Sequence, residues 1–192
     1  QLVFLLEEDW GPGFPTGALV SLDLAACLAD PQTATPTLIV APGPRESIED
    51  AAATRSRLLV TIYRNVQGSA ASYHFDNGAW QASPLPLPKN ASVHIAASID
   101  REDRAFVDVA GFLDPNTLWL VEPAAGGADP VKSLPPRFDA SGNVVEQFEA
   151  TSSDGTLVPY FVIRPTPPYP SPASGGGQGG GAPPELYKSH CI

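Results

Sequence analysis

Apolar stretches in this chain are short, and they return on a long period. One begins near Leu2, another near Leu58 and a third near Ala105, and each is followed by a second run, "ALVSL", "AASYHF" or "TLWLV". The leading runs lie about 45 to 55 residues apart, the length of one blade of a β-propeller, a four-stranded sheet that must lean on its neighbours. The 22 prolines and 17 glycines concentrate in turns and in the tail, which is how an antiparallel β protein is punctuated. Strand spacing alone leaves a β-sandwich open as the alternative architecture. The long period favours blades, and since a ring needs at least about four of them, this reading expects further chain.

Strands are expected at residues 2 to 7, 18 to 22, 37 to 40, 58 to 63, 70 to 75, 79 to 85, 92 to 98, 105 to 110 and 117 to 121. Within "DNGAW", Asn77-Gly78 favours a primed turn between two of them. Residues 144 to 165, "VVEQFEATSSDGTLVPYFVIRP", form a hairpin whose tight turn is Asp154-Gly155, with Gly155 supplying a positive φ. Pro159 brings no donor to a ladder, so one side of the second strand should be open. Asp23 caps a short helix that Pro31 stops, and Cys27 within it reads as a small buried thiol. From Pro165 onward, Pro-rich and then Gly-rich sequence without apolar periodicity reads as a disordered tail.

The chain has 192 residues, 43% of them hydrophobic, enough to bury the core of one ordinary domain. Its formal charge of -10, from 21 acidic against 11 basic residues, works against binding a phosphate backbone, so no nucleic-acid partner is expected. No apolar run approaches the roughly 18 to 20 residues that span a bilayer, and no membrane partner is expected. Gln1 stands where an initiator Met would, and "QLVFLLEEDW" is already strand-like, so the chain is expected to begin in mid-fold. The compartment stays open, with the cytoplasm slightly preferred over the periplasm. Cys27 and Cys191 are too far apart for a CxxC site, and a bridge between them is not the favoured reading.

Candidate chemistry is sparse. Ser174 in "PASGGGQ" has glycines on one side only, unlike the strand-turn-helix setting of a nucleophile serine. His74 and His94 each fall inside a strand and read as packed or half-exposed imidazoles rather than bases, and His190 lies in the tail. With no H-x-H, HExxH or Asp-rich calcium loop, no metal is expected. Glu7, Glu8 and Asp9 read as a solvated loop rather than a cation site. Of the indoles that might line a ligand surface, Trp10, Trp80 and Trp119, the last alternates with apolar neighbours and reads as inter-sheet core. The acceptor pattern "NAS" at Asn90 decides nothing.

The segment "FDASGNVVEQFEATSSDGTLVPYFVIRP" (Phe138 to Pro165) resembles the junction of prolyl oligopeptidases, where the last propeller blade hands over to an α/β-hydrolase domain. "PGPRESIEDAAATRSRLLVTIYRNVQG" (Pro42 to Gly68) and "GFLDPNTLWLVEP" (Gly111 to Pro123) look like blade segments of the same family in the expected order, and "GALVSLDLAACLAD" resembles a strand-plus-helix that some bacterial members carry. The resemblance covers about residues 1 to 165. It implies a serine endopeptidase that cleaves proline-containing oligopeptides, with the propeller limiting access, and it makes the late hairpin the first strands of the hydrolase sheet. The family's following "Y-G-Y-G-G-F" segment and its catalytic serine, aspartate and histidine have no counterpart here, and "GGGQGGG" does not replace them.

These readings together give an all-β chain: a partial β-propeller over residues 1–140, a hairpin at 141–165 that opens an α/β-hydrolase domain, and a disordered tail at 166–192. No residue is assigned a catalytic, cofactor-binding or metal role, and no cofactor is expected. The expected partners are a proline-containing oligopeptide substrate in the parent enzyme and the hydrolase domain of the same chain. The alternative is a non-catalytic propeller or sandwich used as an interaction module.

Overall fold

A computed structural model describes residues 1–166. Three antiparallel meanders follow one another. The first joins β1 (Leu2–Leu5), β2 (Leu19–Leu22) and β3 (Thr37–Val40), with the short helix α1 (Leu24–Ala29) between β2 and β3. The second contains β4 (Glu46–Ala53), β5 (Leu58–Arg64), β6 (Gln67–Asp76) and β7 (Ala79–Pro84). The third contains β8 (Ala91–Ser98), β9 (Ala105–Gly111), β10 (Thr117–Glu122) and β11 (Gly127–Ser133), and a separate two-stranded sheet pairs β12 (Asn143–Thr151) with β13 (Leu157–Pro165). We call the three meanders blades 1, 2 and 3. Among the described residues no barrel is closed; the second and third sheets have the antiparallel, four-stranded form of propeller blades, and the first has three strands.

The blade reading rests on which way neighbouring side chains face. Successive strand residues point to opposite sides of a sheet. In β5, Leu58 and Val60 pack with Leu19, Ile39 and Tyr73 between blades 1 and 2, while Leu59 packs with Val93, Val107, Val109 and Val121 between blades 2 and 3. All of Leu58 to Thr61 is buried, because this strand is covered on both faces. A third cluster of Leu6, Ala18 and Val20 covers the far side of blade 1.

Two strands carry no signal of the expected kind. β4, "ESIEDAAA", is acidic and alanine-rich, and β11, "GADPVKS", holds a proline and a lysine. Both are edge strands held by one neighbour, both pairings contain a register shift, and Pro130 sits beside the irregularity at Leu118/Trp119. Bulges and prolines are what an edge tolerates and a central strand does not.

The turn at Asn77-Gly78 has φ of 50° and 81° and closes Asp76 against Ala79, the primed two-residue turn expected there. The late hairpin has a longer connection: Thr151 faces Leu157, and residues 152–156 form the loop, with Gly155 at φ 85°. Asp23 caps α1 by accepting from the Ala26 N–H at 2.8 Å. Cys27 departs from expectation. It is a free, half-buried thiol, because α1 lies against the surface with none of its residues buried. Pro165 ends β13 and Thr166 donates to the Gly142 carbonyl, and residues 167–192, which hold the rest of the expected tail with Ser174, His190 and Cys191, lie outside the described residues.

Candidate functional site

Five polar side chains meet where the hairpin lies on one rim of the blades. The β5–β6 turn consists of Asn65 and Val66 between the paired Arg64 and Gln67, and both turn residues are left-handed, at φ 49° and 63°. Asparagine enters that region readily, whereas a β-branched residue there is a genuine outlier. Arg45, immediately before β4, is left-handed too, at φ 63°, and its carbonyl accepts from the Asn65 N–H at 2.9 Å. Two unusual backbone conformations thus support each other.

The hairpin face that meets this rim follows from its register. Ser152 donates to the Thr156 carbonyl and Thr166 to the Gly142 carbonyl, so even-numbered residues of β12 and β13 face each other through hydrogen bonds. Pro159 and Pro165, at odd positions, lack an N–H only where it would point away from β12. Gln147, Glu149 and Phe161 share one face. Gln147 donates from its amide to the Asn65 carbonyl at 2.6 Å and accepts from the Gln67 amide. Glu149 accepts from Arg45 at 2.5 Å and from the Asn65 amide at 3.1 Å. Phe161 lies against Phe112 of the β9–β10 loop with ring centroids 4.6 Å apart. Beneath that pair is a slot of about 230 Å³ lined by Val66, Asn90 and Ala91 among others. The opposite face of the hairpin holds Phe148 stacked on Tyr160, both exposed, and the Glu146–Arg164 ion pair.

Just behind this rim the Glu46 carboxylate accepts from the Gly43 N–H at 2.8 Å and from Arg64. Those bonds, the Gly43 one foremost, hold its pKa below the ordinary glutamate value. At the opposite rim Asp103 of blade 3 receives the Ser56 N–H at 2.7 Å, the Ser56 hydroxyl at 2.8 Å, the Thr54 hydroxyl at 3.0 Å and Arg55 at 3.3 Å, all from blade 2. Burial pushes the Asp103 carboxyl upward, and the hydrogen bonds with the Arg55 charge outweigh it, leaving its pKa below the usual aspartate value.

The residues singled out from sequence are scattered. His74 lies in β6 with Nδ1 3.2 Å from the Ser56 carbonyl, and His94 is exposed in β8 beside the Tyr63 ring. Glu7 and Glu8 are exposed, and Asp9 accepts the Thr16 N–H at 2.7 Å within the β1–β2 loop. Trp10 stands 47% exposed beside Phe4, and Trp80 donates to the Ser21 hydroxyl of blade 1 at 2.8 Å. Trp119 packs on the core between blades 2 and 3, as its alternation predicts. Asn90 occupies a left-handed position, φ 54°, at the entry to β8. Among the described residues no three of His, Cys, Asp and Glu gather as a metal site would require. Sequence reasoning passed over Arg45, Asn65, Gln67, Gln147 and Glu149, which are polar and meet across separations of 80 or more residues.

Sheets that stack face to face and tie, at one rim, to a separate hairpin define a segment of a β-propeller. The chain matches the family model of the prolyl oligopeptidase N-terminal β-propeller domain over residues 3–133, and it belongs to that family. It is 38% identical over 167 residues to a protein of Sinorhizobium fredii named as an uncharacterized peptidase, y4nA, covering 85% of this chain and 23% of that protein. A second uncharacterized peptidase, RP174 of Rickettsia prowazekii, is 26% identical over 165 residues, covering 83% of this chain and 23% of the other. A solved post-proline cleaving enzyme from Rickettsia typhi superposes with a TM-score of 0.70 at 26% identity, covering 85% of this chain and 24% of that one. The chain therefore spans about a quarter of the length of the relatives it matches.

Proposed function

We propose that these residues form part of the propeller wall, and the hand-over to the catalytic domain, of a serine endopeptidase that hydrolyses proline-containing oligopeptides through an acyl-enzyme. In this reading residues 1–140 are propeller and β12–β13 opens the α/β-hydrolase domain. The blades narrow access to the active site so that short peptides enter and folded proteins do not. The nucleophile, base and orienting carboxylate belong to the hydrolase body and not to residues 1–166. The observation that carries the proposal is the match of residues 3–133 to the family's propeller domain, with a docked hairpin directly after it. The likeness to the post-proline cleaving enzyme supports the choice of proline.

The 192-residue chain alone is expected to leave a proline-containing chromogenic peptide intact, and turnover blocked by a serine-directed inhibitor would overturn the placement of the catalytic groups. A chimera supplies the positive test, with residues 1–166 replacing the matching quarter of the Sinorhizobium fredii relative. It should cleave short peptides after proline and spare folded proteins. Equal cleavage after other residues would remove the proline assignment, and digestion of folded protein would remove the gate.

A further inference from the structure

We infer that the β12–β13 hairpin is a strap that pins blade 2 to blade 3, so that its docking and the seating of these two blades on each other are coupled. The strap crosses the rim. At its start, Asn143, Val144 and Val145 line one cleft with Lys89, Asn90, Phe112 and Asp114 at the edge of blade 3. Further along the same strand, Gln147 engages Asn65 and Gln67 of blade 2, and Glu149 engages Arg45. On the returning strand Phe161 meets Phe112 of blade 3, and the Leu157 carbonyl accepts from Arg45 at 3.4 Å. One β-ribbon thus makes directional contacts with both blades.

The contacts fall where the backbone needs support. Val66 and Arg45 hold left-handed conformations unfavourable for their side chains, and both adjoin the strap. Gln147 bonds the carbonyl of Asn65, inside the turn, so docking of the strap and retention of that turn reinforce each other. Chain connectivity between blades 2 and 3 at this rim is only the link from Leu85 to Asn90. The far rim has its own tie through Asp103, so the strap gives this pair of blades a fastening at each end.

Hydrogen exchange on the full 192-residue chain tests the strap. Gln147→Ala should speed exchange in β12 and β13 about ten-fold or more, since two side-chain bonds are lost. It should also speed exchange several-fold at the start of β8 and in the loop after Phe112, and leave β2 of blade 1 unchanged. Glu149→Gln, a milder change that keeps the shape, should give the same pattern at smaller amplitude and serves if the first variant does not fold. Phe148→Ala, on the solvent face of the hairpin, should leave blade 3 protection as it is. Loosening confined to the hairpin, an equal rise in all three blades, or the same pattern from Phe148→Ala would each overturn the inference.

Discussion

Leu58 and Leu59 are neighbours in β5 and face opposite ways, one toward blade 1 and the other toward blade 3. The seam on the Leu58 side is apolar packing with one cross-blade side-chain bond, Trp80 to Ser21. The Leu59 side adds polar fastenings to a larger core. Ser72 donates to the buried Pro123 carbonyl at 2.9 Å, the Val93 N–H donates to the Tyr63 hydroxyl at 3.0 Å, and Asp103 gathers its four donors. Packing brings blades together, and directional bonds then fix how far one slides on the next. On this comparison blades 2 and 3 form the stiffer pair, and blade 1 is the more separable.

The largest effects are expected from truncating the two adjacent leucines. Leu58→Ala and Leu59→Ala should each cost about 2 to 5 kcal/mol, the range for deleting a buried leucine side chain. Their exchange patterns should differ: Leu59→Ala loosens β8 and β9, Leu58→Ala loosens β2 and β3. If both variants loosen both seams equally, the seams are not independent.

Gly68 sets the spacing of the seam between blades 2 and 3. A Cβ built there would stand 2.8 Å from the Ala91 carbonyl oxygen and 2.9 Å from the Val93 nitrogen, backbone atoms that cannot swing aside. Blade 3 approaches blade 2 this closely because the residue is glycine. Gly68→Ala should cost about 1 to 3 kcal/mol by overpacking, read by denaturant unfolding. A neutral result would mean that the two sheets can separate freely at this point.

Asp103 tests the polar side of the same seam. Its native pKa lies below the ordinary value, so its contribution is present above about pH 4 and fades as pH falls through the lower native value. Asp103→Asn should cost about 1 to 3 kcal/mol at pH 7, because charge-assisted bonds weaken and one acceptor oxygen is replaced by a donor. It should also flatten the acid limb of a stability curve between blades 2 and 3. An acid limb as steep as that of the parent would assign the effect to another carboxylate, Glu46 first, whose pKa is lowered in the same direction.

What the sequence revealed, and what it hid, follows from the same physics. Central strands such as "LLVTIY" and "TLWLV" announce themselves because burial on one or both faces demands apolar residues at fixed spacing. β4 and β11 stayed hidden because an edge strand answers to one neighbour and is allowed charge, proline and a bulge. The turn at Asn77-Gly78 was legible from residues that accept positive φ, whereas Asn65-Val66 makes the same kind of turn with a valine that argues against it. Cys27 misled through its own apolar character, since nothing in "LAACLA" reveals that the helix stands off the core. The rim contacts had no signature at all: Gln147 and Asn65 are 82 residues apart, and their meeting is set by how the blades stack. The family resemblance carried no information about those contacts.

The smallest effect is expected at one of two serines that play matching parts. Ser21 sits in β2 and accepts from the Trp80 indole across the blade 1–2 seam, and Ser72 sits in β6 and donates to the Pro123 carbonyl across the blade 2–3 seam. Both side chains are buried, yet their partners differ, since Trp80 is half-buried and Pro123 fully buried. Removing the Ser72 hydroxyl strands an acceptor that water does not reach, so Ser72→Ala should cost about 1 to 3 kcal/mol. Ser21→Ala frees an indole N–H that can turn to solvent, and should cost about 0.5 to 1.5 kcal/mol. Urea unfolding of the two variants side by side decides the matter. A larger loss from Ser21→Ala would reverse the ranking of the seams and make blade 1 the member most firmly held.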